Sequence, residues 1–199
     1  LMIRRPPRST LSSSSAASDV YKRQEAQRIE NQVLRSNCGL MDQISITHSK
    51  EGIATLLDFS RMSIEAFRMP DDWRFKLVDT GIRRSLSETN YSSSEVKIET
   101  RRIHAKDESA RVRAALSSDA RALGTILNES HASISDNIRA STPEIDNMVK
   151  EIQSTAGVLG ARLMGGGFGG MILALVEEED ALPGELLVSS APAFLQETL

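Results

Sequence analysis

Apolar side chains recur every three or four residues in three stretches of the chain, the spacing that places them on one face of a helix. These stretches predict helices over residues 25–35 and 119–134 and one that begins just after Ser141, and residues 95–116 are also predicted to be helical. Ser141 with Glu144 three residues later predicts a capping box, and Pro143 suits a first helical turn. The pattern after Ser141 is the clearest, with apolar residues at i, i+3, i+4 and i+7: Ile145, Met148, Val149 and Ile152.

Four shorter apolar runs predict strands, at residues 53–59, 75–78, 158–164 and 171–176. The last two flank a glycine-rich connection, and Trp73, just before the second, is expected to anchor a core. A weaker pattern at residues 193–199 predicts one more helix. Because helices and strands do not alternate regularly along the chain, their order indicates an α+β fold rather than a repeated βαβ array.

Composition and charge exclude several classes of protein. The chain has 199 residues, of which 40% are apolar and 26% charged, a balance that allows a buried core. Its formal net charge of −3 argues against a protein that binds nucleic acid through phosphate contacts. No apolar run approaches the roughly 20 residues that a membrane-spanning helix needs. The single cysteine, Cys38, excludes an internal disulfide and fits a reducing compartment, so we expect a cytoplasmic protein.

Residues 1–24 differ in character from the rest of the chain. Six of the ten residues from Ser9 to Ser18 are serine, and Pro6 and Pro7 are adjacent. The basic start is followed by serines rather than by the apolar stretch of a signal peptide. The segment resembles translated adapter sequence, so we interpret it as a low-complexity, non-native tail and leave it out of the fold prediction.

A run of five glycines in six positions is the strongest local signal: Gly165, Gly166, Gly167, Phe168, Gly169 and Gly170. Such a run implies left-handed backbone or the close approach of another group, because glycine has no Cβ. Two interpretations fit, a tight turn between strands and a loop that cradles an anion beside a substrate. An apolar strand follows the run, which excludes a Walker-type or Rossmann phosphate loop.

A second candidate is Asp42, which follows a glycine turn in the stretch NCGLMDQ at residues 37–43. A carboxylate after such a turn is commonly a helix N-cap or a solvated surface group. The functional alternative is a general base, which requires hydrogen-bond reach to a substrate hydroxyl. No metal site is identifiable, because His48, His104 and His131 are far apart in sequence and no HExxH motif occurs.

Six short motifs occur in a fixed order over residues 25–176, about three quarters of the chain. The two most specific are CGLMDQ at residues 38–43 and GARLMGGGFGG at residues 160–170. The others are RIEN at 28–31, ATLLDF at 54–59, RSL at 84–86 followed by Tyr91, and NESHAS at 128–133. In this order the motifs resemble the galactokinase branch of the GHMP kinase family.

The resemblance implies a GHMP kinase fold, with residues 25–70 as a remnant of the N-terminal domain and residues 71–199 as a ferredoxin-like C-terminal domain. It implies transfer of the γ-phosphoryl group of ATP, bound with Mg²⁺, to the anomeric hydroxyl of galactose. Asp42 matches the family's catalytic aspartate, which also contacts the sugar, and Gly39 and Tyr91 match positions at the sugar site. The glycine loop would lie beside that site. ATP, Mg²⁺ and galactose are therefore the expected ligands.

Two motifs of the family have no match in this sequence. The sugar-binding opening motif is not found, and TLSSSSAA at residues 10–17 lacks the glycines that a loop wrapping a triphosphate needs. We therefore expect this chain to be an inactive fragment of a kinase. The alternatives are another GHMP small-molecule kinase, a non-catalytic sensor of galactose and ATP, and an α+β domain whose glycine run is only a turn.

Overall fold

The structure, a computed structural model, describes residues 24–25, 27–29, 31–32, 39–83 and 96–189. Three predicted features lie outside the described residues, namely nearly all of the tail 1–24, Tyr91 and the weak helix at 193–199. The chain divides into two compact units, with the boundary between Ala66 and Phe67. The predicted domain limits, 25–70 and 71–199, stay a prediction.

The first unit is a small assembly of a helix and a hairpin, with further helical residues at 24–25, 27–29 and 31–32. Among its described residues only Gln43 and Ile44 are buried. A two-stranded hairpin with so small a core is marginally stable by itself. Its elements are helix α1 (Met41–His48) and strands β1 (Ile53–Asp58) and β2 (Ser63–Arg68), which pair in one sheet.

The strand predicted at residues 53–59 is confirmed as β1, whereas β2 was not predicted. Asp58 closes the turn between them, because its Oδ1 accepts hydrogen bonds from the Ser60 N–H at 2.9 Å and from the Ser60 hydroxyl at 2.6 Å. The hydroxyl bond is the main cause that lowers the pKa of Asp58 below its ordinary value.

The second unit is built on a three-stranded antiparallel sheet in the order β3–β5–β4. Arg74 of β3 lies opposite Val176 of β5, and Leu163 of β4 lies opposite Ile172 of β5. The runs predicted at 75–78, 158–164 and 171–176 are confirmed as these strands. Their bounds are β3 (Arg74–Asp79), β4 (Val158–Leu163) and β5 (Met171–Val176).

Three helices complete this unit, and with the sheet they confirm the predicted α+β class. A π-helical turn, Ile134–Ile138, extends the second of them and ends at Arg139, whose φ of 55° is left-handed. Among the described helices, none is both long and apolar enough to cross a membrane. The three agree with the predictions for 95–116, 119–134 and the stretch after Ser141, and they are α2 (Ile98–Ala115), α3 (Ala120–Ser133) and α4 (Pro143–Gln153).

The predicted N-cap of α4 is wrong by one residue. Thr142, not Ser141, is the N-cap, and its hydroxyl accepts a hydrogen bond from the Ile145 N–H at 3.4 Å. The reason is Pro143, because proline disfavours helical backbone at the residue before it and so holds Thr142 in the extended conformation of a cap. The same hydroxyl donates to Glu144 Oε2 at 2.9 Å, in place of the predicted capping box.

Two apolar clusters form the core of the second unit. They contact alternate residues of β5, whose successive side chains point to opposite faces of the sheet. Helix α3 packs Leu123 and Leu127 against Leu175, and Trp73 lies half-buried at the edge of that cluster, as predicted. Helix α4 packs the face predicted from its spacing into the other cluster, which contains Ile145, Val149, Ile152, Ala161, Leu163, Ile172, Ala174 and Val176.

Helix α3 meets strand β4 backbone to backbone. A Cβ on Gly160 would overlap the Gly124 carbonyl, and a Cβ on Gly124 would overlap the Leu159 carbonyl. Gly124 belongs to none of the sequence motifs, and Gly160 begins the motif GARLMGGGFGG, whose sequence does not indicate this contact. Only the absence of both side chains lets the helix and the strand approach so closely.

This approach brings two side chains of α3 to the edge of the sheet. The Asn128 carbonyl oxygen accepts a hydrogen bond from the Ala161 N–H at 2.9 Å, and His131 Nδ1 accepts one from the Leu163 N–H at 3.4 Å. Since β4 is an edge strand, these N–H groups have no neighbouring strand to accept from them. Helix α3 thus supplies the acceptors, which also protects the edge from pairing with another chain.

A buried lysine forms hydrogen bonds to the segment that follows β5. Lys76 is 1% exposed, and its ammonium donates to the carbonyl oxygens of Leu182 and Gly184, each at 2.6 Å. A buried ammonium needs such acceptors, because it has lost its water. The lysine therefore fixes residues 182–184 against β3.

We expect Gly160→Ala to lower the free energy of unfolding by about 3 kcal/mol, because the overlapping atoms are backbone atoms that cannot rotate away. Urea denaturation followed by circular dichroism measures the change. Gly39→Ala is the matched control, since a Cβ there meets no atom of the described part of the chain within 4 Å, and its effect should stay below about 1 kcal/mol. Equal effects of the two substitutions would contradict the contact between α3 and β4.

Candidate functional site

The glycine loop, residues 165–170, connects β4 to β5 with left-handed backbone at most of its positions. The φ angle is 68° at Gly165, 89° at Gly167 and 90° at Gly170. Phe168 has a φ of 61°, which is uncommon for a residue that carries a side chain. This backbone explains why the sequence here is nearly all glycine.

Neighbouring segments hold one side of the glycine loop. The Ala140 carbonyl, just after the π-helical turn, accepts a hydrogen bond from the Phe168 N–H at 2.8 Å. The Ile82 carbonyl accepts one from the Gly170 N–H at 3.1 Å. Thr80 donates twice to the Gly170 carbonyl, from its N–H at 3.0 Å and from its hydroxyl at 2.7 Å. The loop is therefore fixed between the chain after β3 and the chain before α4.

The glycines of the loop are not equivalent. A Cβ on Gly167 would overlap the Ala140 carbonyl oxygen, and a Cβ on Gly169 would lie 2.6 Å from the Ile82 carbonyl oxygen. At Gly165, by contrast, a Cβ would meet no atom of the described residues within 4 Å. Gly167 and Gly169 are needed for close packing, whereas Gly165 is needed only for its backbone angle.

The opposite edge of the loop faces solvent. Gly165 and Gly166 are exposed, and no atom of the described residues accepts a hydrogen bond from the N–H of Gly165, Gly166 or Gly167. Unpaired N–H groups on successive residues in such backbone can bind anionic oxygens. The loop is a strand-to-strand turn with donors on its open edge, so the two interpretations drawn from the sequence are compatible.

A polar cluster lies beside β4, three residues before the loop. Arg162 Nη1 donates to the Ser130 hydroxyl at 2.7 Å and lies 3.4 Å from Glu108 Oε2, to which that hydroxyl donates in turn at 2.7 Å. Burial lowers the pKa of Arg162 from its ordinary value, while the Glu108 carboxylate opposes that shift. The cluster joins α2, α3 and β4, and no sequence pattern indicated it.

Asp42 lies in the first turn of α1 and is exposed. The N-cap of α1 is Leu40, so the N-cap alternative for Asp42 is wrong. The helix begins two residues earlier than that role requires. A solvated group and a general base both remain compatible with its position. Gly39 precedes the helix and is also exposed, whereas Tyr91 lies outside the described residues. The functional roles of Asp42, Gly39 and Tyr91 stay predictions.

The first unit also contains an apolar cavity of about 270 Å³. Asp42 does not line it. Three of its nine lining residues are polar, Gln24, Asp58 and Ser63, and the other six are apolar, so we do not assign it to substrate. Its main lining residues are Leu40, Ile44, Leu57, Phe59, Met62 and Ile64.

The described part of the chain comprises residues 39–83 and 96–189 and the short helical stretch before them. In that part of the chain no group of three or more His, Cys, Asp or Glu side chains is placed to hold a metal ion. The described residues therefore do not fit a Mg²⁺ site of their own.

Residues 112–183 match the family of GHMP kinases over its C-terminal region. The matched segment runs from within α2, through both glycines of the α3–β4 contact and the whole glycine loop, to the chain after β5. This segment is similar to the C-terminal domain of GHMP kinases. The predicted relation to the GHMP kinases is thereby confirmed at the level of this domain.

Three solved kinases share the fold of the chain. Galactokinase from Lactococcus lactis, complexed with galactose, matches with a TM-score of 0.64 and 23% identity over 86% of this chain. The mevalonate kinase of L. major, complexed with R-mevalonate, gives 0.60 and 21% over 73%, and another mevalonate kinase gives 0.62 and 20% over 82%. The chain spans 59%, 46% and 50% of the lengths of these three proteins. At such identities the likeness concerns the fold alone.

The contact between the glycine loop and Ala140 distinguishes Gly167 from Gly165 in a way that can be tested. Gly167→Ala should accelerate hydrogen exchange at the Phe168 amide at least tenfold, which corresponds to about 1.4 kcal/mol, because the new Cβ displaces the Ala140 carbonyl. Amide exchange followed by NMR measures it. Gly165→Ala, which carries the same backbone strain without the overlap, should change that rate less. If Gly165→Ala has the larger effect, the anchoring described above is wrong.

Proposed function

We propose that the chain is the C-terminal portion of a galactokinase, which transfers the γ-phosphoryl group of ATP to the anomeric hydroxyl of galactose. The observation that carries the proposal is the glycine loop, whose open edge presents unpaired N–H groups in the motif GARLMGGGFGG. The fold shared with a galactokinase structure that holds galactose supports it. The accompanying motif CGLMDQ favours galactose over other substrates of the family.

Asp42 is the general base in this proposal. Its side chain is exposed and makes no hydrogen bond or ion pair with any described residue, so its carboxylate is available to a substrate hydroxyl. A carboxylate within hydrogen-bond reach of the attacking hydroxyl can orient it and take its proton. Gly39 and Tyr91 would contact the sugar.

The glycine loop is the electrostatic part of the proposal. Phosphoryl transfer depends mainly on positioning and on stabilising charge at the oxygens of the transferred group. Backbone N–H groups that are already fixed in place do this without reorganising. The anchors at Ala140, Ile82 and Thr80 would keep the open edge of the loop in one position while substrate oxygens bind.

ATP is the expected co-substrate, and Mg²⁺ would neutralise charge on its phosphates. Because the described residues hold no metal-ligand cluster, the groups that bind Mg²⁺ and most of the triphosphate would come from outside the described part. The reducing compartment indicated by the lone Cys38 supports a cytoplasmic enzyme.

A second candidate is a GHMP kinase that acts on another small alcohol. The specific observation in its favour is that two mevalonate kinases share the fold with TM-scores of 0.60 and 0.62, close to the 0.64 of the galactokinase. A non-catalytic sensor of galactose and ATP is the third possibility. Substrate assays separate all three.

The decisive experiment uses a kinase in which this chain is joined to the two family motifs that it lacks, the sugar-binding opening motif and the phosphate loop. With ATP, we expect phosphorylation of galactose and none of mevalonate. Asp42→Asn should lower kcat by about 10²–10⁴-fold, because the neutral amide cannot accept the proton. The matched control is Asp71→Asn, at an exposed aspartate outside the motifs, which should leave kcat unchanged. Phosphorylation of mevalonate alone would favour the second candidate, and binding without turnover the sensor.

The 199-residue chain alone is expected to show no ATP-dependent phosphorylation of galactose. The physical reason is the lack of a credible phosphate loop, together with a first unit whose described part buries only Gln43 and Ile44. A coupled assay of ADP release checks this expectation. Ordinary turnover by the chain alone would contradict it.

A further inference from the structure

Helices α2 and α3 form a hairpin, and its closed end is held by apolar packing. Residues 116–119 connect the two helices. Beside this connection, Ala115 of α2 and Ala120 of α3 pack against the apolar cluster that contains Leu175 of β5. The closed end of the hairpin is therefore attached to the core of the second unit.

Beyond the closed end, polar contacts join the two helices. Three contacts each join a side chain of α2 to one of α3, and their order shows that the helices run antiparallel. These contacts, the polar seam, are His104 Nδ1 to the Ser133 hydroxyl at 2.8 Å, Glu108 Oε2 to the Ser130 hydroxyl at 2.7 Å and Arg111 Nε to Glu129 Oε2 at 3.6 Å. Among the described residues of α2, only Ala115 packs against either apolar cluster of the second unit.

The face that α2 turns toward the rest of the unit is polar. None of its 18 residues is buried, whereas α3 buries Leu123 and Leu127. The half-buried residues of α2 recur every three or four positions and so lie on one face. Apart from Ala115 they are Thr100, Arg101, His104, Asp107, Glu108 and Arg111. Because that face carries almost no apolar side chains, α2 gains little hydrophobic stabilisation from docking.

The apolar side chains of α2 lie in solvent instead. Ile98 is 80% exposed, and Ile103 is 51% exposed. The start of the helix also lacks a side-chain cap, because its N-cap, Lys97, makes no capping hydrogen bond. In α3, by contrast, the Asp119 carboxylate accepts a hydrogen bond from the Ala122 N–H at 2.7 Å. The end of α2 farthest from the hairpin connection therefore has neither a cap nor a buried apolar contact.

We propose that α2 is a hinged helix, which swings away from α3 at its Ile98 end while its Ala115 end stays in place. Water can replace the partners of every group in the polar seam, so the open state loses little free energy. The apolar packing at the closed end has no such replacement. Residues 116–119 are the hinge. The motion is independent of the proposed function, because neither Asp42 nor the glycine loop takes part in it.

Opening leaves α2 without the contacts that support it as a helix. An isolated helix of this length is marginal in water, and pairs within it, such as Glu99 with Arg102, contribute little. The opened helix therefore loses backbone hydrogen bonds. The exchange of its amide hydrogens with solvent measures how often it opens.

The test is amide hydrogen exchange of the 199-residue chain at pH 7, followed by NMR. We expect the protection factors of residues 102–111 of α2 to be about tenfold or more below those of residues 124–133 of α3, and to rise toward Ala115. The rise marks a hinge, since a helix that leaves as one unit would show a single value. Equal protection of the two helices, or uniform protection along α2, would overturn the proposal.

Glu108→Gln tests the polar seam from α2. It should lower the protection of residues 102–111 about fivefold, because it removes the charge that binds the Ser130 hydroxyl and Arg162. Glu99→Gln is the matched control. Each substitution removes one ion pair within α2, but Glu99 has no partner among the described residues outside that helix. The control should lower protection less than about twofold, and equal effects of the two substitutions would refute the polar seam.

Ser130→Ala tests the polar seam from α3 and leaves the sequence of α2 unaltered. The loss of this hydroxyl should lower the protection of residues 102–111 about fivefold and leave that of residues 123–127 unchanged. Ser109→Ala is its control, because the Ser109 hydroxyl donates to the Ala105 carbonyl of its own helix. No loss of protection in α2, or an equal loss in both helices, would overturn the hinge.

Discussion

The backbone contact between Gly124 of α3 and Gly160 of β4 is the constraint on which the second unit depends. Two glycines let a helix lie against the edge of a sheet at a separation that any side chain would prevent. At this separation the short side chains of Asn128 and His131 reach the N–H groups of β4. A helix placed a few ångströms further out would leave those N–H groups without partners, and an open edge strand is a site of aggregation.

The same constraint reaches the candidate site through the chain. Strand β4 leads directly into the glycine loop, so whatever fixes Leu163 also fixes where the loop begins. The far side of the loop is fixed by carbonyls at Ala140 and Ile82, which come from segments distant in sequence. A loop held from three directions keeps its N–H donors in place on the open edge. Such preorganisation is what an electrostatic role in catalysis requires.

Periodicity predicted α3 and α4 well because each buries one regular face, whereas α2 has no buried residue. The spacing of Ile145, Val149 and Ile152 indicated a helix, and these residues are buried where the spacing requires. Periodicity could not predict the contacts between elements. Gly124 does not interrupt the apolar spacing of its helix. The strand pattern predicts Lys76 to be an ordinary exposed polar residue, although it is fully buried. The packing of Gly124 and the burial of Lys76 both depend on residues that are distant in sequence, and a local sequence pattern contains no information about those residues.

The candidate site shows the same division between composition and packing. Five glycines in six positions predicted unusual backbone, and the positive φ angles confirm it. The sequence does not show which glycine is closely packed and which is exposed. In the structure Gly167 lies against Ala140, whereas Gly165 faces solvent. Asp42 is harder still, because an exposed carboxylate in a first helical turn has many possible uses. Its assignment needs the surrounding motif CGLMDQ, since a base is defined by what it touches and not by its own position in the chain.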